Sequence, residues 1–312
     1  MRDPFVIAVG IGLLLGSLAG PAVVYGLELV PHQWRRTAEW LLIAGAVAVT
    51  ALADQLSRRG GGGGAFVYVL AALPGLLTFL AFRTLLASTL VSLVPVYIFI
   101  GVLTRGGPTY APEIALDRAV SLQPAWIFVY ASLGLVALLP LFIVRQQALF
   151  HRAMQAYLMV MLVSYAGFLL YPTVAPRPAH VIGDGFSAWS LRLLYTLDPP
   201  YGCFPSLHVA YSFVSALTCY RLHRRLGIAA ALWAALIGVS AVYTKQHYVV
   251  DVIAGAALAF VAYVLLLRGY SPEAVAESER RRAPIRALGV IGIYGWIIAC
   301  FWVAYSIGVV VP

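Results

Sequence analysis

Apolar stretches long enough to cross a bilayer recur along the chain at about 5–27, 38–54, 65–82, 84–103, 124–144, 153–171, 205–222, 228–244, 248–267 and 288–310, with short polar connections between them. The pattern predicts ten transmembrane helices. From Ala65 to Leu103 the apolar run is broken by one charge, Arg83. A single helix of that length would overshoot a hydrocarbon core of ~30 Å about twofold, so a tight hairpin is expected. The first stretch lacks an Ala-x-Ala cleavage site and is read as a span, not a signal peptide. Residues 112–120 are expected to form a short interfacial helix on the outer side. Ser271-Pro272-Glu273 carries the N-cap and first-turn residues of a short polar helix, and the glycines from Gly60 to Gly64 mark a flexible turn.

Composition fixes the environment of these helices. Of 312 residues, 62% are hydrophobic and 11% charged, and the mean hydropathy is +0.89. A soluble domain carries about 25% charged residues. The fold class is therefore an all-α integral membrane protein. Disordered and collagen-like chains are excluded, and three cysteines cannot build a disulfide framework. The net charge of +9 is assigned to membrane orientation and not to nucleic acid. Lys and Arg number 13 on the side of the odd-to-even loops and 8 on the other, so the clusters Arg221, Arg224, Arg225 and Arg280, Arg281, Arg282 are expected to face the cytoplasm. The loops around 172–204 and 245–247 then face outward.

Polar groups near helix ends in so apolar a chain are costly unless paired or used, and three clusters stand out. Tyr171 to Pro178 follows the sixth span and contains Arg177. Cys203-Phe204-Pro205-Ser206-Leu207-His208 opens the seventh. Lys245 to Asp251, with His247, opens the ninth. Span parity alone brings all three to one membrane face.

His247 and Asp251, four apart, would stack on one helical face, where the carboxylate fixes the imidazole tautomer and leaves the other ring nitrogen to attack or to abstract a proton. A mutually satisfied pair anchoring a helix end accounts for them equally well. Pro205 suits a first helical position, and the N–H groups of Ser206, Leu207 and His208 would then face outward as an anion site, with His208 beside them as a proton donor. Ordinary helix capping is the plainer alternative. Arg177 and Lys245 would complete a cationic shell for a tetrahedral dianion. Lys245 is the one lysine among 21 basic residues, which points to a positional requirement, although a snorkelling anchor would also use lysine.

Pro205-Ser206-Leu207-His208, His247-x-x-x-Asp251 about 40 residues on, and Arg177-Pro178 upstream together resemble the type 2 phosphatidic acid phosphatase superfamily. The FPSLH and HYVVD forms are most similar to its inositol phosphorylceramide synthase-like branch. The resemblance spans residues 84–267 and implies a six-helix catalytic core there, flanked by N-terminal transmembrane helices over 1–83 and by a cytoplasmic loop with a last helix over 268–312. It implies metal-independent phosphoryl transfer through a phosphohistidine, with no cofactor. His247 corresponds to the nucleophile, Asp251 to its orienting partner and His208 to the acid for the leaving group, while Arg177 and Ser206 correspond to phosphate ligands. In place of two further cations of the phosphatase pattern the chain has Leu170 and Ala241. That departure favours a transferase over a simple phosphomonoesterase.

The expected substrate is a lipid phosphate or a phospholipid headgroup, with water, a small alcohol or a lipid alcohol as acceptor. A serine hydrolase built on Ser206, His247 and Asp251 leaves His208 and the cations unexplained. A metal site lacks a clustered carboxylate set, and a transporter would place its polar residues near the midplane. Cys203 and Cys219 fall toward opposite faces and are not expected to pair. His180, close after Arg177, reads as a loop residue.

Overall fold

The structure, a computed structural model, describes residues 107–309 together with Val96, Tyr97, Ile100, Gly101, Thr104 and Val311. The expected spans at 5–27, 38–54 and 65–82, most of the span at 84–103 and the Gly60–Gly64 turn lie outside these residues. The chain divides into two compact units, 1–103 and 104–312. The second carries all three polar clusters.

Among the described residues every regular element is helical. A short helix α1 (Ala115–Ala119) is followed by a 3-10 turn (Pro124–Trp126) that runs into α2 (Ile127–Ala131) and α3 (Leu133–Ile143). Then come α4 (Gln147–Leu170), α5 (Phe186–Leu197), α6 (Leu207–Leu222), α7 (Arg224–Tyr243), α8 (Val249–Ala262, continued by a π turn over Tyr263–Leu267) and α9 (Glu277–Ser306). Among the described residues, five segments are long and apolar enough to cross a bilayer: Pro124–Ile143, Gln147–Leu170, Arg224–Tyr243, Val249–Leu267 and Glu277–Ser306. They overlie the expected spans at 124–144, 153–171, 228–244, 248–267 and 288–310. Leu169, Leu232, Ile253, Leu265 and Trp296 stay exposed on these helices, as side chains that face lipid do. The chain is a multi-pass helical membrane protein.

Helix α6 is the axis of the unit and packs against α3, α4, α7 and α8. Its packing faces are small: Ala210, Ser212, Ser215, Ala216 and Thr218 are fully buried. Small residues let helix backbones approach closely where no hydrophobic force separates lipid from protein. Their hydroxyls are satisfied locally, Ser212 by the carbonyl of His208 and Thr218 by that of Val214, while Ser215 reaches across to Val136 of α3. At two places the approach requires glycine. A Cβ on Gly255 of α8 would lie 2.4 Å from the Ser206 carbonyl oxygen, and one on Gly167 of α4 would lie 2.8 Å from that of Phe204. The two glycines clamp the Phe204–Ser206 segment that leads into α6.

Three expectations need correction. Pro205 does not open the helix: Ser206 is the N-cap, its Oγ accepting from Val209 N, and α6 begins at Leu207 with 16 residues, fewer than the ~20 of a full span. The loop between the sixth and seventh spans contains the 12-residue helix α5. The polar stretch before the last span is helical from Glu277, so α9 runs 30 residues, about 45 Å at the usual rise. That outlasts the hydrocarbon core and leaves its arginine-rich start at the membrane surface.

The short helix expected at 112–120 is present as α1, and the one expected from Ser271 is a 3-10 turn over Pro272–Ala274 with Ser271 at its N-cap position and no side-chain cap.

Candidate active site

The segments before α6 and after α4 are zipped together by the backbone. Ala175 N–H donates to the carbonyl of Pro200 and Gly202 N–H to that of Thr173. The Thr173 hydroxyl oxygen, buried, accepts from both Cys203 N–H at 2.8 Å and Phe204 N–H at 3.0 Å. Thr173→Val keeps the shape and leaves two N–H groups without an acceptor. A loss of about 2–4 kcal/mol of stability is expected, read as a lowered thermal midpoint of the purified protein, whereas Thr173→Ser should be nearly neutral.

The turn between α7 and α8 holds His247. Helix α7 ends with Lys245 in the left-handed region (φ 54°), the position that glycine usually takes at a helix C-terminus. Gln246 and His247 N–H groups then return to the carbonyl of Ala241. Lys245 Nζ donates to the carbonyl of Asp117 at 2.9 Å. Asp117 itself, buried on α1, accepts through Oδ1 from Val249 N–H and through Oδ2 from Ile114 N–H, both at 2.9 Å. The sole lysine therefore ties the His247 turn to α1, and its ammonium is engaged there and not with the histidines.

His247 lies just ahead of α8 and not on it, because Tyr248 is the N-cap. Asp251 Oδ2 accepts the Tyr248 N–H at 2.9 Å. The same oxygen stands 3.5 Å from His247 Nδ1. The other face of the ring, Nε2, is 3.3 Å from Nδ1 of His208 on the first turn of α6, and that nitrogen is also 3.1 Å from the hydroxyl of Tyr130 on α2. Asp251 is fully buried and His247 nearly so. Carboxylate, His247, His208 and Tyr130 thus form one polar chain drawn from α8, the α7–α8 turn, α6 and α2. Ser206 joins it through the backbone, its N–H donating to the carbonyl of Asp251 at 3.0 Å. The N–H groups of Leu207 and His208 belong to the first turn of α6, where no carbonyl inside the helix can accept them.

Arg177 is held from several sides. Its guanidinium donates to the carbonyls of Tyr195 and Asp198, to the carboxylate of Asp198 at 3.2 Å and to Oε1 of Gln246, and it lies 4.7 Å above the Tyr195 ring. Its Nε is buried without a partner. Gln246 adjoins His247 in the chain, so the arginine is tied to the turn that carries the imidazole. Tyr195 donates to the carbonyl of Thr244 at 2.6 Å. Burial pushes its phenol up to about 12 against the opposing pull of Arg177, which keeps it a donor at neutral pH.

The structure gathers His208, His247, Asp251, Ser206 and Arg177, the candidates that the sequence offers, at one end of α6. Tyr130, Asp198, Gln246 and Tyr195 contact them, Asp117 braces the turn that carries His247, and these residues carry no mark in the local sequence pattern. Leu170 is exposed, and Ala241 is buried in an apolar cluster with Ile127, Tyr130, Ala188 and Leu191. Neither position offers the site a charge. His180 is exposed on the loop.

One set of metal-ligand types is present among the described residues: Cys203, His247 and Asp251 bring a thiol, an imidazole and a carboxylate within 4.8 Å of one another. Burial raises the Cys203 thiol well above its ordinary range, with the Asp251 carboxylate pushing the same way. A metal there would have to displace a tightly held proton.

No solved structure matches the chain. A PA-phosphatase related-family protein of Dictyostelium discoideum is 30% identical over 113 residues, which cover 33% of this chain and 20% of that protein. The alignment thus takes in about a fifth of that relative's length. Residues 111–265, the stretch that contains Arg177, the His208 segment and the His247 turn, match the family model of the PAP2 superfamily.

Proposed function

We propose that the protein is a membrane-embedded phosphotransferase that acts on a lipid phosphate or a phospholipid headgroup through a phosphohistidine at His247, without a metal. The observation that carries this reading is the placement of the His247 ring, with Asp251 at Nδ1 and His208 at Nε2. A proton on Nδ1, facing the carboxylate, leaves the Nε2 lone pair free to attack. The match to the PAP2 superfamily supports a phosphatase-type chemistry on a lipid phosphate, and the name of the Dictyostelium relative points the same way.

In the proposed first step Nε2 of His247 attacks phosphorus, the N–P bond forms as the bond to the lipid oxygen breaks, and that oxygen takes the proton of His208. In the second step neutral His208 removes a proton from water or an alcohol, whose oxygen displaces the histidine. Free phosphate or a new phosphoester leaves, and both imidazoles return to their first state. The 3.3 Å contact between the two rings leaves no room for a phosphoryl group, so substrate must enter between them and part them. Arg177 and the first-turn N–H groups of α6 would hold the non-bridging oxygens. The apolar surroundings of Ala241 and the exposed Leu170, where further cations would bind a dianion, support a phosphodiester headgroup as donor and an alcohol as acceptor. Supplying labelled phospholipid with and without inositol or ceramide tests this. A labelled phosphodiester of the added alcohol supports transfer, and release of the labelled headgroup phosphate at the same rate in both conditions favours water as the acceptor.

If Arg177 neutralises the phosphate, chelators should change turnover by no more than a factor of about two. Loss of activity in EDTA, restored by zinc and absent in Cys203→Ala, would instead assign the chemistry to the Cys203, His247 and Asp251 set.

The site is proposed to open on the extracytoplasmic face, supported by the basic excess of the opposite loops. In intact cells, a cysteine at the exposed Ile182 in a background lacking Cys300 should react with a membrane-impermeant thiol reagent. Reaction only after the cytoplasmic side is opened would reverse the orientation.

A further inference from the structure

At the end of α6 remote from the histidines lies a cavity of about 520 Å³ whose lining includes Arg221, His223, Arg224, Arg225, Pro272 and Arg280. No acidic side chain contributes to that lining. Arg221 donates to the carbonyls of Arg268 and Tyr270, just past α8, but its Nε is buried with no partner. His223 Nδ1 accepts the Leu226 N–H as the N-cap of α7. Arg224, Arg225 and Arg280 take part in no ion pair among the described residues. The nearby acids are engaged otherwise: Glu279 with the N–H groups of Arg145 and Gln146, Glu277 with Arg281, and the exposed Glu273 with the Ser271 hydroxyl. Glu273 also acts through space on Arg280 and Arg221.

The placement runs against helix electrostatics. Arg224 and Arg225 are the first two residues of α7, and its first turn has no acid. Cations there face the positive end of the helix dipole, which destabilises them unless an anion lies between. Orienting the chain in the membrane needs arginines in this loop. It does not need them at a helix N-terminus, around a cavity, beside a buried guanidinium nitrogen without a partner.

We propose that this cavity binds a phosphorylated anion, with phosphate oxygens shared among Arg224, Arg225 and Arg280. The ligand class is a phosphomonoester group, carried by the headgroup of an anionic lipid in the adjoining leaflet or by a free phosphorylated polyol. The site is separate from the histidine pair and stands whether or not His247 transfers phosphate.

The test uses the purified full-length chain in micelles with three probes: dioctanoyl phosphatidylinositol 4-phosphate, inositol 1,4-bisphosphate and dioctanoyl phosphatidylcholine. Binding of the first, alone or with the second, and not of the third, is expected. Binding of the lipid alone assigns the ligand to the membrane, and comparable binding of the free bisphosphate assigns recognition to the phosphates. The double variant Arg224→Gln, Arg225→Gln should weaken binding about tenfold or more. Its thermal midpoint without ligand should be no lower than that of the wild type, since the repulsion with the helix dipole is gone. Arg224→Lys, Arg225→Lys should keep most of the affinity, and His247→Ala all of it. Failure of the wild type to bind either phosphorylated probe, or equal binding by the glutamine variant, overturns the proposal. Binding lost in His247→Ala overturns it too, because the ligand would then sit at the histidines.

Discussion

Asp251→Asn is expected to lower turnover by about 10²–10³-fold with the fold intact. The side chain has two tasks, accepting the Tyr248 N–H and facing His247 Nδ1. An asparagine can keep the first with its carbonyl oxygen. Because that same oxygen faces Nδ1, the ring proton stays on Nδ1 and the attacking lone pair on Nε2 is kept. What is lost is the negative charge that offsets the positive charge growing on the ring as the N–P bond forms. Affinity for substrate should change little, because the phosphate ligands Arg177 and the α6 N-terminus are untouched. Asp251→Ala would confuse this test by also removing the cap of α8. Near wild-type turnover in the asparagine variant would mean that the carboxylate is a helix cap and nothing more.

His208→Ala should cost about 10²–10⁴-fold with a lipid substrate, whose alkoxide leaving group needs a proton. With p-nitrophenyl phosphate, whose leaving group departs unprotonated, the first step should recover while the second stays slow. A burst of nitrophenol followed by accumulated phosphoenzyme is the expected signature. Equal losses on both substrates, with no burst, would remove His208 from the acid role. Tyr130→Phe tests a finer point. Its hydroxyl touches the same nitrogen of His208, so the variant should shift the pH profile of turnover by altering which tautomer His208 holds.

How far the sequence carried the site depended on how local its parts are. His247 and Asp251 are four residues apart, and Ser206 and His208 share one helix start. Short spacing and the order of the motifs were enough to single them out. Tyr130 reaches His208 across 78 residues and Asp117 reaches Lys245 across 128, and nothing in the local pattern of either marks it. Lys245 was noticed for its rarity and read as a phosphate ligand. The structure gives that rarity another cause, a left-handed turn residue whose chain is long enough to reach α1.

The spans were legible because twenty apolar residues in a row have few other uses, whereas α5 was hidden by polar flanks and a length of 12 residues. A signal was present all the same. Phe186, Trp189 and Leu193 recur at helical spacing after Gly185, and the buried Ala188, Trp189 and Leu191 mark the face that packs. That helix matters for the chemistry, since its C-terminal end supplies the Tyr195 and Asp198 contacts that fix Arg177. The helical start of α9 is hidden in the sequence because its charge density resembles that of a loop. A helix longer than the bilayer is thick carries its charges beyond the apolar slab.

The proposed intermediate carries a covalent bond between phosphorus and Nε2 of His247. Quenching the purified protein during turnover of a substrate labelled with ³²P, digesting it under alkaline conditions and sequencing the labelled peptide tests it most directly. An acid-labile, alkali-stable phosphohistidine is expected on the peptide that contains His247, absent in His247→Ala and present whether or not EDTA is added. Label on His208, label on Ser206, or turnover with no labelled peptide at all would contradict it.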